Sequence, residues 1–145
     1  MTQVYFYHHS PDKLATACAL LHKAWRARKP VVVYAPNGQL AQLLDRQLWM
    51  NPTTGFIPHC MADSPLALET PILLAGANNL PVRGERLLNL ADEPPPSFVN
   101  YQTILEIVSQ TEADRLAARQ RASTYKREGW QIEFIDLQRH SHHGG

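Results

Sequence analysis

The run Val31-Val32-Val33-Tyr34-Ala35 constrains the fold of this chain more than any other stretch. Consecutive apolar residues fill both faces of a strand, a pattern typical of a parallel sheet that is covered by helices on each side. Helical spacing of apolar residues precedes the run up to about Arg28 and resumes from about Gln39 to Trp49. The run is therefore predicted to be an interior strand between two helices.

Strand and helix patterns go on alternating along the chain. The first helix is predicted to begin with Ser10 as N-cap and Pro11 at the first helical position. The last helix is predicted to begin at a capping box, Ser109-x-x-Glu112, and to end before Gly129. Apolar and β-branched residues predict further strands over 3–8, 71–76, 85–90, 103–108 and 130–137. This order predicts a three-layer α/β/α fold with a mostly parallel central sheet.

Size and charge limit the kind of protein this is. A chain of 145 residues predicts one α/β domain, residues 1–138, followed by a flexible His-rich tail over 139–145. No run of 18 apolar residues and no basic, apolar leader is present, so we expect a cytoplasmic protein without a membrane partner. Cys18 and Cys60 form no CxxC pair, which agrees with free thiols in a reducing compartment. The net charge of +1 argues against direct nucleic-acid binding.

Catalytic and cofactor motifs are missing from the sequence. Ligands of parallel sheets bind beyond the carboxyl ends of the strands, which here are the loops near His8 and Asn37. The sequence contains neither G-x-G-x-x-G nor a Walker motif, so the topology is predicted to be nucleotide-binding-like without a phosphate loop. The histidines lack metal-ligand spacing. We therefore expect no catalytic residue, cofactor or metal; a small nucleotide-binding or hydrolytic enzyme at these loops is the alternative.

The stretch from residue 48 to residue 59 predicts an interaction surface. Trp49 stands at the end of a predicted helix, and Pro52 and Pro58 stiffen the segment that carries Phe56. Fixed proline φ angles lower the entropy that ordering costs, so the two rings can contact a partner at low cost. The alternative is that both rings are core residues, because large aromatic side chains are buried in most proteins.

The last predicted helix carries a cationic stripe. Arg115, Arg119 and Lys126 stand at positions i, i+4 and i+11, with the small Ala122 between them. Guanidinium groups bind carboxylates in a bidentate manner, so the stripe suits an acidic peptide tail that ends in a hydrophobic residue. The alternative is a solvated face whose charges are balanced by acids of the same helix. Those acids are Glu112, Asp114 and Glu128.

Four elements of the sequence, in this order and spacing, resemble the chi subunit of bacterial DNA polymerase III holoenzyme. They are Leu48-Trp49-x-x-Pro52, Phe56-Ile57-Pro58-His59, Arg119-x-Arg121 and Tyr125-Lys126-x-x-Gly129-Trp130. The resemblance covers nearly the whole chain. It implies an α/β fold without a phosphate loop and a non-enzymatic role in the clamp-loader complex. It also implies two partners, the psi subunit and the acidic C-terminal tail of the single-stranded-DNA-binding protein.

The resemblance assigns residues to the first partner. Trp49 and Phe56 match the family's aromatic positions that dock psi, and the same surface is implied for an alternative helicase partner. Pro58, which stiffens the same segment, completes this predicted docking surface.

Other residues are assigned to the second partner. Arg115 and Arg119 match the basic positions that receive the acidic tail and its terminal carboxylate, and Lys126 lies on the same stripe. The chain departs from the family pattern at Ala122 and Ser123, where an aromatic and a basic residue are expected. A shallower pocket and weaker binding of the tail are therefore expected.

Overall fold

The computed structural model describes residues 2–50, 58–67 and 70–138. Within these ranges the strands are β1 (Gln3–Ser10), β2 (Val31–Tyr34), β3 (His59–Met61), β4 (Ile72–Ala75), β5 (Gly84–Asn89), β6 (Tyr101–Ser109) and β7 (Gln131–Asp136). The α-helices are α1 (Lys13–Arg26), α2 (Gly38–Met50) and α3 (Glu112–Arg127). The strands form one sheet of order β3-β4-β2-β5-β6-β1-β7, and every pairing in it is parallel. The predicted α/β fold is confirmed, with a sheet that is wholly rather than mostly parallel.

Helices cover both faces of the sheet. Val31 and Val33 of β2 pack into a buried cluster with residues of α1 and α2. Val32 and Tyr34 point the other way, into a second cluster that includes residues of α3. Successive side chains of a strand point to opposite faces, so an interior strand between two helical layers must be apolar at every position. The apolar run of β2 is therefore explained as predicted, by an interior strand that is covered by helices on both faces.

The predicted starts of two helices were wrong by a few residues. Helix α1 is capped by Asp12, whose side chain accepts from the backbone N–H of Leu14 and Ala15. Helix α3 is capped by Thr111, so neither Ser10 nor Ser109 is an N-cap. These two serines face each other in the parallel pairing of β1 with β6. Strand pairing extends both strands to the positions where local sequence favours a cap.

The ends of α3 and of the sheet complete the architecture. Gly129 follows α3 with a φ of +79°, so the predicted glycine end of this helix is confirmed. The outer strands are β3 and β7. Strand β3, which is three residues long, was not predicted because so short a segment shows no alternation. None of the helices in the described ranges combines the length and the apolar character needed to cross a bilayer.

A buried polar network holds α3 against the sheet. Glu106 of β6 accepts from Arg121 Nε at 2.9 Å and from the Tyr125 hydroxyl at 2.6 Å, both on α3. The Asn89 side chain of β5 donates to the same carboxylate at 2.9 Å. Burial raises the pKa of Glu106, while Arg121 and the hydrogen bonds oppose this rise. Burial also raises the pKa of Tyr125, and the nearby carboxylate adds to the effect.

Candidate functional site

A cleft of about 450 Å³ lies between α3 and the carboxyl ends of β1 and β7. We call it the α3 cleft. Its floor is apolar, and its α3 side carries three cations, Arg115, Arg119 and Lys126. The remaining lining residues are Phe6, His8, His9, Val108, Ala118, Ala122, Ser123 and Phe134. Its volume falls within the range of small-ligand pockets, and its open groove also suits a short peptide.

Two stacked phenylalanines form part of the floor. Phe6 and Phe134 are partners in the parallel register of β1 with β7, and their ring centroids are 5.4 Å apart. Phe6 is buried beneath α3, whereas Phe134 is 55% exposed because β7 is an outer strand. An apolar ring that stays exposed next to cations offers a contact for a hydrophobic group of a ligand.

The predicted cationic stripe is brought together as expected. Arg115, Arg119 and Lys126 are exposed, and in the described part of the chain none of them forms an ion pair. Asp114, one of the acids that the alternative interpretation assigns to them, instead accepts from the Ser109 backbone N–H at 2.6 Å and from Lys13 at 3.4 Å. The stripe is therefore not the balanced helix face that the alternative interpretation requires.

The positions that depart from the family pattern both line the α3 cleft. Ala122 is buried and packs against the sheet, and Ser123 is exposed. Neither side chain reaches as far as the aromatic and basic residues expected there. Arg119 and Arg121, which form one element of the resemblance, have separate roles. Arg119 lies in the cleft, while Arg121 is buried in the polar network.

The β1 end of the cleft is lined by two adjacent histidines. Burial lowers the pKa of His8, His9 adds to this effect, and Asp136 opposes it. His9 Nδ1 and Asp136 Oδ1 are 2.9 Å apart. Sequence reasoning did not assign His8, Phe6 or Phe134 to the site of the cations. The sequence contained a signal for Phe134 alone, because the alternation of β7 places Phe134 on the same face as Ile132.

The second predicted surface lies at the other edge of the sheet. Trp49, near the end of α2, is 57% exposed, so the interpretation of this ring as a core residue is wrong. Its ring contacts that of His59 in β3 edge-on, with centroids 5.4 Å apart. The adjacent Met50 is 70% exposed, and Pro58 is half-buried. Phe56 lies outside the described residues, so its predicted role stays a prediction.

The two loops of the alternative enzyme site are far apart. In the sheet, β5 and β6 lie between β1, which carries His8, and β2, which precedes Asn37. Three strand spacings amount to roughly 14 Å. Asn37 caps α2, because its side-chain oxygen accepts from the backbone N–H of Gln39 at 3.0 Å. The structure therefore does not bring His8 and Asn37 together in one site.

Comparison with known proteins identifies the family. Residues 1–133 match the family described as DNA polymerase III chi subunit, HolC. A protein named DNA polymerase III subunit chi from Pseudomonas aeruginosa is 31% identical over 143 residues, which cover 96% of this chain and 99% of the relative. A protein of the same name from Haemophilus influenzae is 29% identical over 80% of this chain and 81% of the relative. Another, from Escherichia coli, is 23% identical over 79% of this chain and 79% of the relative. The resemblance found in the sequence is thus confirmed, and the chain belongs to the DNA polymerase III chi subunit family.

Proposed function

We propose that this chain is a non-catalytic, cytoplasmic adaptor of the DNA polymerase III clamp-loader complex. One surface binds the psi subunit, and the α3 cleft binds the acidic C-terminal tail of the single-stranded-DNA-binding protein. Membership of the chi family supports a role in DNA replication. The observation that carries the proposal is the α3 cleft itself, where three cations without ion-pair partners in the described ranges line one side of an apolar floor.

The chemistry of the cleft supports an acidic peptide with a hydrophobic end as its ligand. Arg115 and Arg119 stand one helical turn apart, so two guanidinium groups are available to a terminal carboxylate and to an acidic side chain. Lys126 extends the positive surface along the same helix. The exposed ring of Phe134 offers contact to an apolar side chain. Exposed charge pairs of this kind weaken as salt rises.

The surface at the end of α2 supports apolar docking. The exposed Trp49 ring lies against His59 of β3, an outer strand of the sheet, and the next residue, Met50, is also exposed. Exposed tryptophans are frequent hot spots of protein interfaces, and truncation of one costs about 2 kcal/mol or more. We assign this surface, with Phe56 and Pro58, to psi. We also propose that a helicase binds there in place of psi, so that the two partners compete.

The test is assembly of a three-component complex. This chain, psi and the single-stranded-DNA-binding protein are mixed and separated by size-exclusion chromatography. We expect all three proteins to elute together. Trp49→Ala should lose psi and keep the tail-bearing partner, whereas Arg119→Ala should lose the tail-bearing partner and keep psi.

Each variant has a matched control. Trp25→Ala removes a tryptophan that is 37% exposed and lies on a different helix, α1. Arg127→Ala removes an exposed arginine of α3 that does not line the cleft. Both controls should form the full complex. Loss of both partners in either test variant, while the variant remains folded by circular dichroism, would contradict two separate binding surfaces.

A further inference from the structure

Three potential metal ligands meet at the β1 end of the α3 cleft. His8, His9 and Asp136 each offer one ligand atom, and these atoms all lie within 4.8 Å of one another. The register of the sheet brings them together, because His8 of β1 and Asp136 of β7 are partners in the parallel pairing. The sequence does not reveal this group, since 127 positions separate His9 from Asp136.

A backbone irregularity aims the two histidines at the same place. Adjacent residues of a regular strand point to opposite faces. Here the register of β1 shifts between Tyr7 and Ser10, and His9 has a φ of 62°, which is unusual for a residue other than glycine. As a result the ring centroids of His8 and His9 are only 4.4 Å apart. Bulges that re-aim a side chain in this way are enriched next to functional sites.

We propose that His8, His9 and Asp136 form a binding site for a divalent transition metal, best suited to Zn²⁺. Two imidazoles and one carboxylate are a ligand set that Zn²⁺ accepts in tetrahedral sites that leave the fourth position open. Ligand atoms in such a site are roughly 3.3 Å apart, given metal–ligand distances of about 2.0–2.1 Å. His9 Nδ1 and Asp136 Oδ1 are 2.9 Å apart, and all three ligand atoms lie within 4.8 Å of one another. The three side chains are therefore near metal-ligand spacing, and binding of the ion requires small rotations to reach it.

The surroundings favour a site that remains accessible. All three ligands are half-buried, which shields them partly from solvent and leaves a path for the ion. His8 and His9 also line the α3 cleft, so the proposed site lies at the edge of the space that Arg115 and Arg119 line. Metal binding here does not depend on the proposed function, because it is measured with no peptide or partner protein present.

The test is a Zn²⁺ titration by isothermal calorimetry, with Co²⁺ absorption as a report of geometry. His140, His142 and His143 near the C-terminus would also bind metal, so all measurements use the full chain with these three histidines changed to alanine. In that background we expect one Zn²⁺ per chain and a visible Co²⁺ band of tetrahedral intensity. Asp45→Asn serves as control, because it removes the carboxylate of a second His–Asp pair among the described residues, Asp45 with His59.

Three ligand variants and the control show whether Zn²⁺ binds at the proposed residues. His8→Ala and Asp136→Asn should each weaken Zn²⁺ binding at least tenfold, since each removes a direct ligand. His9→Asn should do the same while keeping a residue that tolerates the left-handed backbone. Asp45→Asn should bind like the background protein. Absence of Zn²⁺ binding in the background, or unchanged affinity in the three ligand variants, would overturn the proposal.

Discussion

Arg121 Nε lies 2.9 Å from Glu106 Oε1, and both side chains are almost completely buried. The pair joins the middle of α3 to β6 in the sheet, and Arg121 also donates to the Asp92 carbonyl at 3.0 Å. Because this pair holds one face of α3 against the sheet, it determines which residues of α3 face outward. The arginines of the cleft, Arg115 and Arg119, therefore owe their position to a buried arginine of the same helix.

Arg121→Met is expected to destabilise the protein strongly. The change leaves the Glu106 carboxyl buried without its cation, and removing one partner of a buried pair costs about 3–5 kcal/mol. Urea unfolding followed by circular dichroism measures the free energy of unfolding. Arg127→Met, which changes an exposed residue of the same helix, should stay within about 0.5 kcal/mol of the parent protein. Equal losses in the two variants would show that the buried pair does not hold α3 in place.

Much of the fold was predictable because its signals are local. The apolar run of β2, the helical spacing before and after it, and Gly129 at the end of α3 each follow from adjacent residues. The starts of α1 and α3 were mispredicted because strand pairing between Ser10 and Ser109 overrides their local capping tendency. Pairing across 99 positions is not visible in a single sequence.

Stability in acid is expected to depend on Asp114. Burial raises the pKa of this carboxyl, but hydrogen bonds from Ser109 and the charge of Lys13 together bring it below its ordinary value. A lowered folded-state pKa adds stability at pH values above about 4, and this stability is lost as the pH falls through the folded-state value. Asp114→Asn should therefore be less stable than the parent protein near neutral pH.

The pH dependence distinguishes this effect from a general loss of packing. The difference in unfolding free energy between the parent and Asp114→Asn should shrink as the pH falls from about 4 through the lowered folded-state pKa of Asp114, because the carboxyl is progressively protonated. Thermal unfolding of both proteins at a series of pH values measures this difference in unfolding free energy. Asp63→Asn, at an exposed loop position, is the control and should differ little from the parent at any pH. A difference for Asp114→Asn that stays constant with pH would contradict the electrostatic origin.

Ser123→Lys is expected to tighten binding of an acidic peptide. Ser123 is exposed and lines the cleft, at a position where the resemblance to the family implies a basic residue. One added cation near an exposed acidic ligand contributes about 0.2–1 kcal/mol, or up to about fivefold in affinity at low salt. Fluorescence anisotropy with a labelled peptide measures the gain.

The control for that change is Gln120→Lys. Gln120 is exposed on the same helix but does not line the cleft, so the same charge is added outside the proposed site. The gain of Ser123→Lys should fall as salt rises, because exposed charges are screened. An equal gain in both variants would mean that net charge, rather than the cleft, determines affinity.

The candidate site was predicted only in part, for a physical reason. Arg115, Arg119 and Lys126 share a helix, so their common face follows from helical periodicity. Phe134 and His8 reach the same cleft through the order of β6, β1 and β7, and strand order is not encoded in local periodicity. The exposure of Trp49 depends likewise on β3 being an outer strand.

The most direct test of the central claim is the affinity of the α3 cleft for one peptide in two forms. An acidic peptide with a hydrophobic last residue is titrated as free acid and as C-terminal amide against the parent protein, Arg119→Ala and Arg127→Ala. We expect the amide, and the acid with Arg119→Ala, to bind about tenfold or more weakly, since hydrogen bonds to a charged group contribute about 1.5–3 kcal/mol. Arg127→Ala should bind the acid normally. Equal affinity of the parent protein for acid and amide would contradict recognition of a terminal carboxylate by this cleft.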